Sequence, residues 1–241
     1  MIRVIIVGGD KPRSVDLHQG LLDSGLFVVE IQPRVTYSDI TGQKNARDTS
    51  GAAYGRSLSA SERCCALAHR LAQERILSTG GIILEDDAVV LDYPRLAHFS
   101  SKVVESKKSV LLNLSTTRCA EDVDWPLGRN SYVRTFGPTA LAVGYAASSS
   151  AIRQLVGSNH SLTYLADWPP IGATHLRLKR PIVAHGHRNN VSLIESSDSR
   201  EPVSIYTLIS ERSIMLTLKR IKDKFQFEFT RVILVLRNAE K

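Results

Sequence analysis

The chain lacks the short signatures of several large enzyme classes. Gly8-Gly9-Asp10 follows the first apolar run, but it is not the Gly-x-Gly-x-x-Gly that brings backbone against a pyrophosphate. No Gly-Lys-Ser/Thr phosphate loop, no Gly-x-Ser-x-Gly elbow and no His-Glu-x-x-His helix occurs. The commonest nucleotide hydrolases, serine esterases and zinc peptidases are thereby excluded. Cysteine is scarce: Cys64, Cys65 and Cys119 are odd in number, two are neighbours, and they show no metal-ligand spacing. They fit reduced thiols in a cytoplasmic protein better than a disulfide framework. Long hydrophobic runs are missing at the N-terminus, where Arg3 interrupts a very short apolar stretch from Met1 to Val7. That stretch reads as a first β-strand, not a signal peptide or a membrane span.

The 241 residues are enough for one large α/β domain or two small ones. A hydrophobic fraction of 43% argues against global disorder, and the net charge of +7 suggests an anionic partner without identifying it. The basic residues are not interleaved with aromatics in a nucleic-acid motif, so no nucleic acid is expected.

Strand and helix signals alternate. Val4–Val7 reads as a strand, Val15–Leu22 as a helix, Phe27–Ile31 as a strand, and 33–57 as a long polar surface loop. Ser59 and Glu62 form a Ser-x-x-Glu capping pattern. It opens a helix carrying Cys64, Leu67, Ala68 and Leu71 on one face and stopping at Gly80-Gly81. A helix near Tyr93–Glu105, strands at Val110–Leu114 and Leu141–Tyr145, a helix over Ser148–Val156 and a strand-like piece at Pro181–Ala184 follow. Such alternation predicts a mostly parallel sheet flanked by helices.

The most informative stretch is Ile82-Ile83-Leu84-Glu85-Asp86-Asp87, a buried-strand run ending in three carboxylates. Adjacent acids repel one another, so a positive partner is expected, and an oxygen-preferring Mg²⁺ or Mn²⁺ that arrives with substrate phosphates is the leading candidate. A solvated acidic turn is the plain alternative.

Several pieces together resemble glycosyltransferase family 25, the bacterial lipopolysaccharide and lipooligosaccharide glycosyltransferases. Leu58, Ser59, Glu62, Cys65 and His69 agree with one family segment, with Ala68 in place of its usual Ser. Ile83-Leu84-Glu85-Asp86-Asp87 is the closest match. Gly144-Tyr145 with Ser148 and Ala151, Asp167-Trp168, and Pro181-Ile182-Val183-Ala184-His185 followed by Ser192-Leu193-Ile194 are similar to later segments. After the first strand the family's Asn-Leu-Asp-Arg is replaced by Gly8-Gly9-Asp10-Lys11, which keeps only the Asp.

The resemblance covers about residues 1–195. It implies a glycosyltransferase A-type α/β fold with a single mostly parallel sheet flanked by helices. The implied activity is metal-dependent and inverting: a hexose, galactose first among the expectations, passes from a UDP-sugar to a lipid-linked saccharide acceptor. Mn²⁺ (or Mg²⁺) would bridge the diphosphate. On this reading Asp87 is a metal ligand, Glu85 faces the donor's ribose or sugar hydroxyls, and Asp86 can do either. Asp10, Arg13 and His69 are further donor-site candidates, although His69 also fits a half-buried histidine and the charged turn fits plain solvent. His185 is a candidate third metal ligand in competition with His187. Asp167 is the candidate base for the acceptor hydroxyl, with Trp168 beside it to stack on a sugar. Asp122 and Asp124 beside Trp125 read as solvated. The alternative reading is a non-catalytic relative or a basic polyanion-binding protein.

Residues 203–241 lie beyond the resemblance. An apolar stripe (Val203, Ile205, Leu208, Ile209, Met215) leads into Lys219, Arg220, Lys222 and Lys224, then Phe225, Phe227 and Phe229. This basic amphipathic helical extension fits either an anionic membrane surface or packing on the domain, while Phe225–Phe229 also alternates as a strand would. A cytoplasmic protein, peripheral on the inner membrane if the extension docks there, is the corresponding expectation.

Overall fold

A computed structural model describes residues 1–9, 13–41, 58–115, 132–135, 143–158 and 171–186. All of these but Leu58 belong to one compact unit, Met1–Arg47 with Ser59–Asp198; a second unit, Asp48–Leu58 with Ser199–Lys241, otherwise lies outside the described residues. The basic extension is therefore not described. Among the described residues no helix is long and apolar enough to cross a membrane.

The elements in chain order are β1 Ile2–Val7, α1 Arg13–Asp23, β2 Phe27–Gln32, α2 Tyr37–Thr41, α3 Ala60–Arg75, β3 Gly81–Glu85, β4 Ala88–Val90, α4 Tyr93–Val104, β5 Val110–Asn113, β6 Tyr132–Thr135, β7 Gly144–Ala147, α5 Ser149–Ser158, β8 Thr174–Leu178 and β9 Val183–His185. Seven strands form one sheet in the order β2-β1-β3-β7-β5-β8-β6, and β4 with β9 forms a separate two-stranded sheet. β1, β2, β3, β5 and β8 run one way, while β7 and β6 run against their neighbours. The large sheet is thus mostly parallel in strand direction and mixed in its pairings.

Strand alternation builds a core on both faces of the sheet. Val4 and Ile6 of β1, Ile82 and Leu84 of β3 and Leu112 of β5 join Leu17 and Leu21 of α1 and Leu96, Phe99 and Val103 of α4. Ile5 and Val7, Ile83 and Leu111 point the other way, onto Ala66, Leu67, Ala68, Ala72 and Ile76 and onto Ala151, Ile152 and Leu155 of α5. Successive side chains on a strand face opposite sides, so an apolar run with no polar interruption fits a sheet covered twice. Ile5, Ile6, Ile82, Ile83 and Leu84 have no exposed surface.

Local chemistry sets the helix ends. Ser59 Oγ accepts from the Glu62 backbone N–H at 3.2 Å, and the Ser59 N–H donates to Glu62 Oε2 at 2.9 Å, a closed capping box. Asp92 caps α4 by accepting from the Arg95 N–H at 2.9 Å, with Pro94 in the first turn.

Three expectations need correction. The capped helix stops at Arg75 and Ile76, short of Gly80-Gly81, because Gly80 N donates back to Ile76 O at 2.8 Å in a separate turn. The expected strand Leu141–Tyr145 lies at Gly144–Ala147, where Tyr145, Ala146 and Ala147 are buried between β3 and β5. It is also antiparallel to both neighbours, and apolar content alone carries no strand direction. The surface loop assigned to 33–57 contains α2 in its described part.

Candidate functional site

The three carboxylates stand where the large sheet gives way to the small one. β3 ends on Glu85, which is in register with Val7 at the end of the parallel β1. Asp86 and Asp87 make the turn, and β4 then pairs antiparallel with β9 so that Ala88 faces His185. Gly186 N donates to Asp87 O at 2.7 Å and closes this turn. A Cβ on Gly186 would sit 2.7 Å from that same oxygen, so only glycine permits the approach. As a result His185 Nε2 lies 3.4 Å from Asp87 Oδ2. The Asp87 side chain is largely buried at 13% exposure, and His185 is open at 43%.

Asp86 turns the other way, against the end of β1. It is buried at 7% exposure beside Gly8, whose φ of +75° is a left-handed conformation. The outgoing chain is pinned here, since Gly8 N donates to Gln32 O at 2.9 Å and the buried Ser14 hydroxyl donates to Gly9 O at 2.7 Å. The turn after β1 and the turn after β3 are thus neighbours at the carboxyl ends of adjacent parallel strands. In open α/β sheets ligands bind at such ends.

Glu85 has a second set of neighbours, supplied by α3. Cys65 and His69 are one helical turn apart and share a face. His69 is 1% exposed, its Nε2 is 3.3 Å from Glu85 Oε1, and its Nδ1 is 3.4 Å from the Tyr145 hydroxyl. Gln73, one more turn along α3, donates from Nε2 to that hydroxyl at 2.9 Å. The His69 and Tyr145 rings are near-parallel at 18°, with centroids 6.0 Å apart. The Cys65 sulfur, a His69 nitrogen and a Glu85 oxygen all lie within 4.8 Å of one another, a set able to chelate a divalent metal.

The electrostatics follow from this packing. Burial opposes charge on His69, but Tyr145, the hydrogen bonds with Cys65 and Glu85, and the charge Cys65 can carry outweigh it and hold the ring's pKa well above 6.5. Burial likewise pushes the Tyr145 phenol up, offset in part by His69 and by the Gln73 hydrogen bond. Burial also raises the neighbouring thiol of Cys64.

Of the residues singled out in the sequence, Asp87 and His185 are brought together, as are His69 and Glu85, and Asp86 borders the β1 turn. Arg13 opens α1, where only its backbone is described. Asp10, Asp122, Asp124, Asp167, Trp168 and His187 lie outside the described residues. The sequence reading missed Cys65 as a possible ligand, because the cysteines were compared only with one another. The missed signal was Cys-x-x-x-His, in which four residues of helix place a thiol beside an imidazole. The contacts of Tyr145 with His69 and with Gln73 had no local signal, since 76 and 72 residues separate the two pairs.

Protein-family models and curated proteins give no match to this chain. What is established is an α/β domain with a candidate Cys/His/Glu metal-chelating cluster beside an acidic turn.

Proposed function

We propose that the protein is a metal-dependent inverting glycosyltransferase of the family 25 type, moving a hexose from a UDP-sugar to a lipopolysaccharide or lipooligosaccharide saccharide. The observation that carries this reading is the 3.4 Å approach of His185 Nε2 to Asp87 Oδ2 at the acidic turn. Two cis ligands of an octahedral cation, each about 2.1 Å from it, lie about 3 Å apart, so a small closure suits Mg²⁺ or Mn²⁺. The Asp87 carboxylate oxygen is a donor of the kind both ions accept.

In this reading Asp87 and His185 hold the cation, and Asp86 either joins them or faces the nucleotide across the Gly8 turn. A bound divalent ion would neutralise the charge that grows on the departing diphosphate. Glu85, oriented by His69, accepts hydrogen bonds from donor hydroxyls. Asp167 takes the proton of the acceptor hydroxyl as its oxygen bonds to the anomeric carbon and the bond from that carbon to the diphosphate oxygen breaks. The fold supports the reading at the coarser level, with the acidic turn at the carboxyl end of a central strand.

The test is thermal unfolding of the full chain with UDP, with and without Mn²⁺. A ligand that binds only the folded state raises its stability by about 2.7 kcal/mol at one hundred times Kd. Stabilisation by UDP that requires Mn²⁺ supports the reading, and UDP without effect in either condition rejects it.

A further inference from the structure

The proposed transfer gives Glu85 and His69 a part at the donor hydroxyls but leaves Cys65, in the same cluster, without one. We infer that these three side chains form a second metal site, selective for a thiophilic divalent ion of the Zn²⁺ type, with three protein ligands and a fourth position open. The inference stands independently of glycosyl transfer, since it rests on the cluster's own geometry.

Four observations carry it. First, the spacing of His69 Nε2 and Glu85 Oε1 is 3.3 Å. Two ligand atoms at about 2.05 Å from a tetrahedral centre are about 3.3 Å apart, so this edge of the tetrahedron already exists. Second, the Cys65 sulfur lies within 4.8 Å of the other two ligand atoms and hydrogen-bonds the His69 ring. A Zn–S bond of about 2.3 Å needs an edge of about 3.6 Å, which leaves the sulfur about 1.2 Å or less to travel.

Third, the imidazole is already oriented for ligation. His69 is 1% exposed, and its Nδ1 faces the Tyr145 hydroxyl, which Gln73 holds from the other side. Ligating histidines are commonly fixed in this way, the distal ring nitrogen bonded to an oxygen and the proximal one aimed at the metal. Fourth, the chemistry of the donors differs between the two places. Sulfur, nitrogen and one carboxylate favour Zn²⁺, whereas the acidic turn offers the oxygens of Asp87 and Asp86 with the His185 imidazole and no sulfur. Glu85 is 26% exposed on its side chain, which gives an ion and a fourth ligand a route from solvent.

Co²⁺ is the probe, because thiolate ligation gives it a charge-transfer band and four-coordination intensifies its visible bands. The full chain is titrated with Co²⁺ in excess Mg²⁺, which occupies oxygen sites, and then with Zn²⁺. The expected result is one equivalent of four-coordinate, thiolate-bound Co²⁺ that Zn²⁺ displaces. Cys65→Ser abolishes the charge-transfer band, and Cys64→Ser keeps it. Glu85→Gln, at a part-exposed position, keeps the band and lowers affinity by about tenfold or more. Absence of a thiolate band in the wild type overturns the inference, as does a band that survives Cys65→Ser or an affinity unchanged by Glu85→Gln. Should Cys65→Ser lose its fold, the wild-type spectrum and the Glu85→Gln affinity decide the matter.

Discussion

His69 on α3 and Glu85 at the end of β3 meet at 3.3 Å, joining the helix closed by the Ser59–Glu62 capping box to the first residue of the acidic turn. Helix position and site geometry are coupled through this contact. A change that loosens the start of α3 should reach Glu85, and a change behind His69 should do so more directly.

Tyr145→Phe tests the support behind His69. It deletes the hydroxyl that Gln73 donates to and that His69 approaches, leaving buried polar groups without it. A buried group deprived of its partner costs about 1–3 kcal/mol, and urea unfolding should register a loss of that size. An unchanged midpoint would show that water replaces the hydroxyl.

Ser59→Ala opens the capping box. Loss of an N-cap serine costs about 1 kcal/mol, equivalent to about 2–4 °C in Tm for a domain of this size. Glu62→Ala, which removes the reciprocal bond, should not add its full separate effect, because both residues serve one motif.

His175 sets a pH dependence away from the acidic turn. It sits in β8 between Leu111 and Thr135, its Nδ1 is buried without a hydrogen-bond partner among the described residues, and burial holds its pKa below 6.5 despite a bond with the Ile171 backbone. The unfolded chain binds a proton as pH falls below about 6.5, and the folded chain does not until lower pH. Stability therefore falls with acidification across that window, by at most about 1.4 kcal/mol per pH unit from this residue. His175→Gln should flatten the profile between pH 7 and pH 5.5 relative to wild type in chemical unfolding; an identical slope would contradict the assignment.

Asp167→Asn addresses the proposed base. Turnover should drop by about 10²-fold or more while donor affinity changes little, because the base faces the acceptor. A collapse in donor affinity would move Asp167 to the donor or metal shell.

The sheet's central strands and their helices were legible because their signals are local. Val4–Val7 and Ile82–Leu84 are uninterrupted apolar runs, and Ser59 with Glu62 marks a helix start within four residues. β4 was not legible, since three residues beyond an acidic turn become a strand only by pairing with Val183–His185. β8, with His175 and Arg177 among its five residues, has no apolar run to announce it. Strand direction escaped for the same reason, as with β7, whose reversal between β3 and β5 is decided by its neighbours. At the site, the acidic turn was plain in the sequence. The His185–Asp87 approach depends on β9 returning beside β4, and the Tyr145 support on β7 returning beside β3.

The most direct measurement is release of UDP from a panel of UDP-sugars incubated with the wild type and Asp87→Asn, with Mn²⁺ and then with EDTA. Glycosyl transfer through the acidic turn predicts slow hydrolysis of one UDP-hexose, UDP-galactose first, that requires Mn²⁺ and disappears in a folded Asp87→Asn. Hydrolysis at near-normal rate in EDTA or in Asp87→Asn, or no hydrolysis and no Mn²⁺-dependent binding of any UDP-sugar, would contradict it.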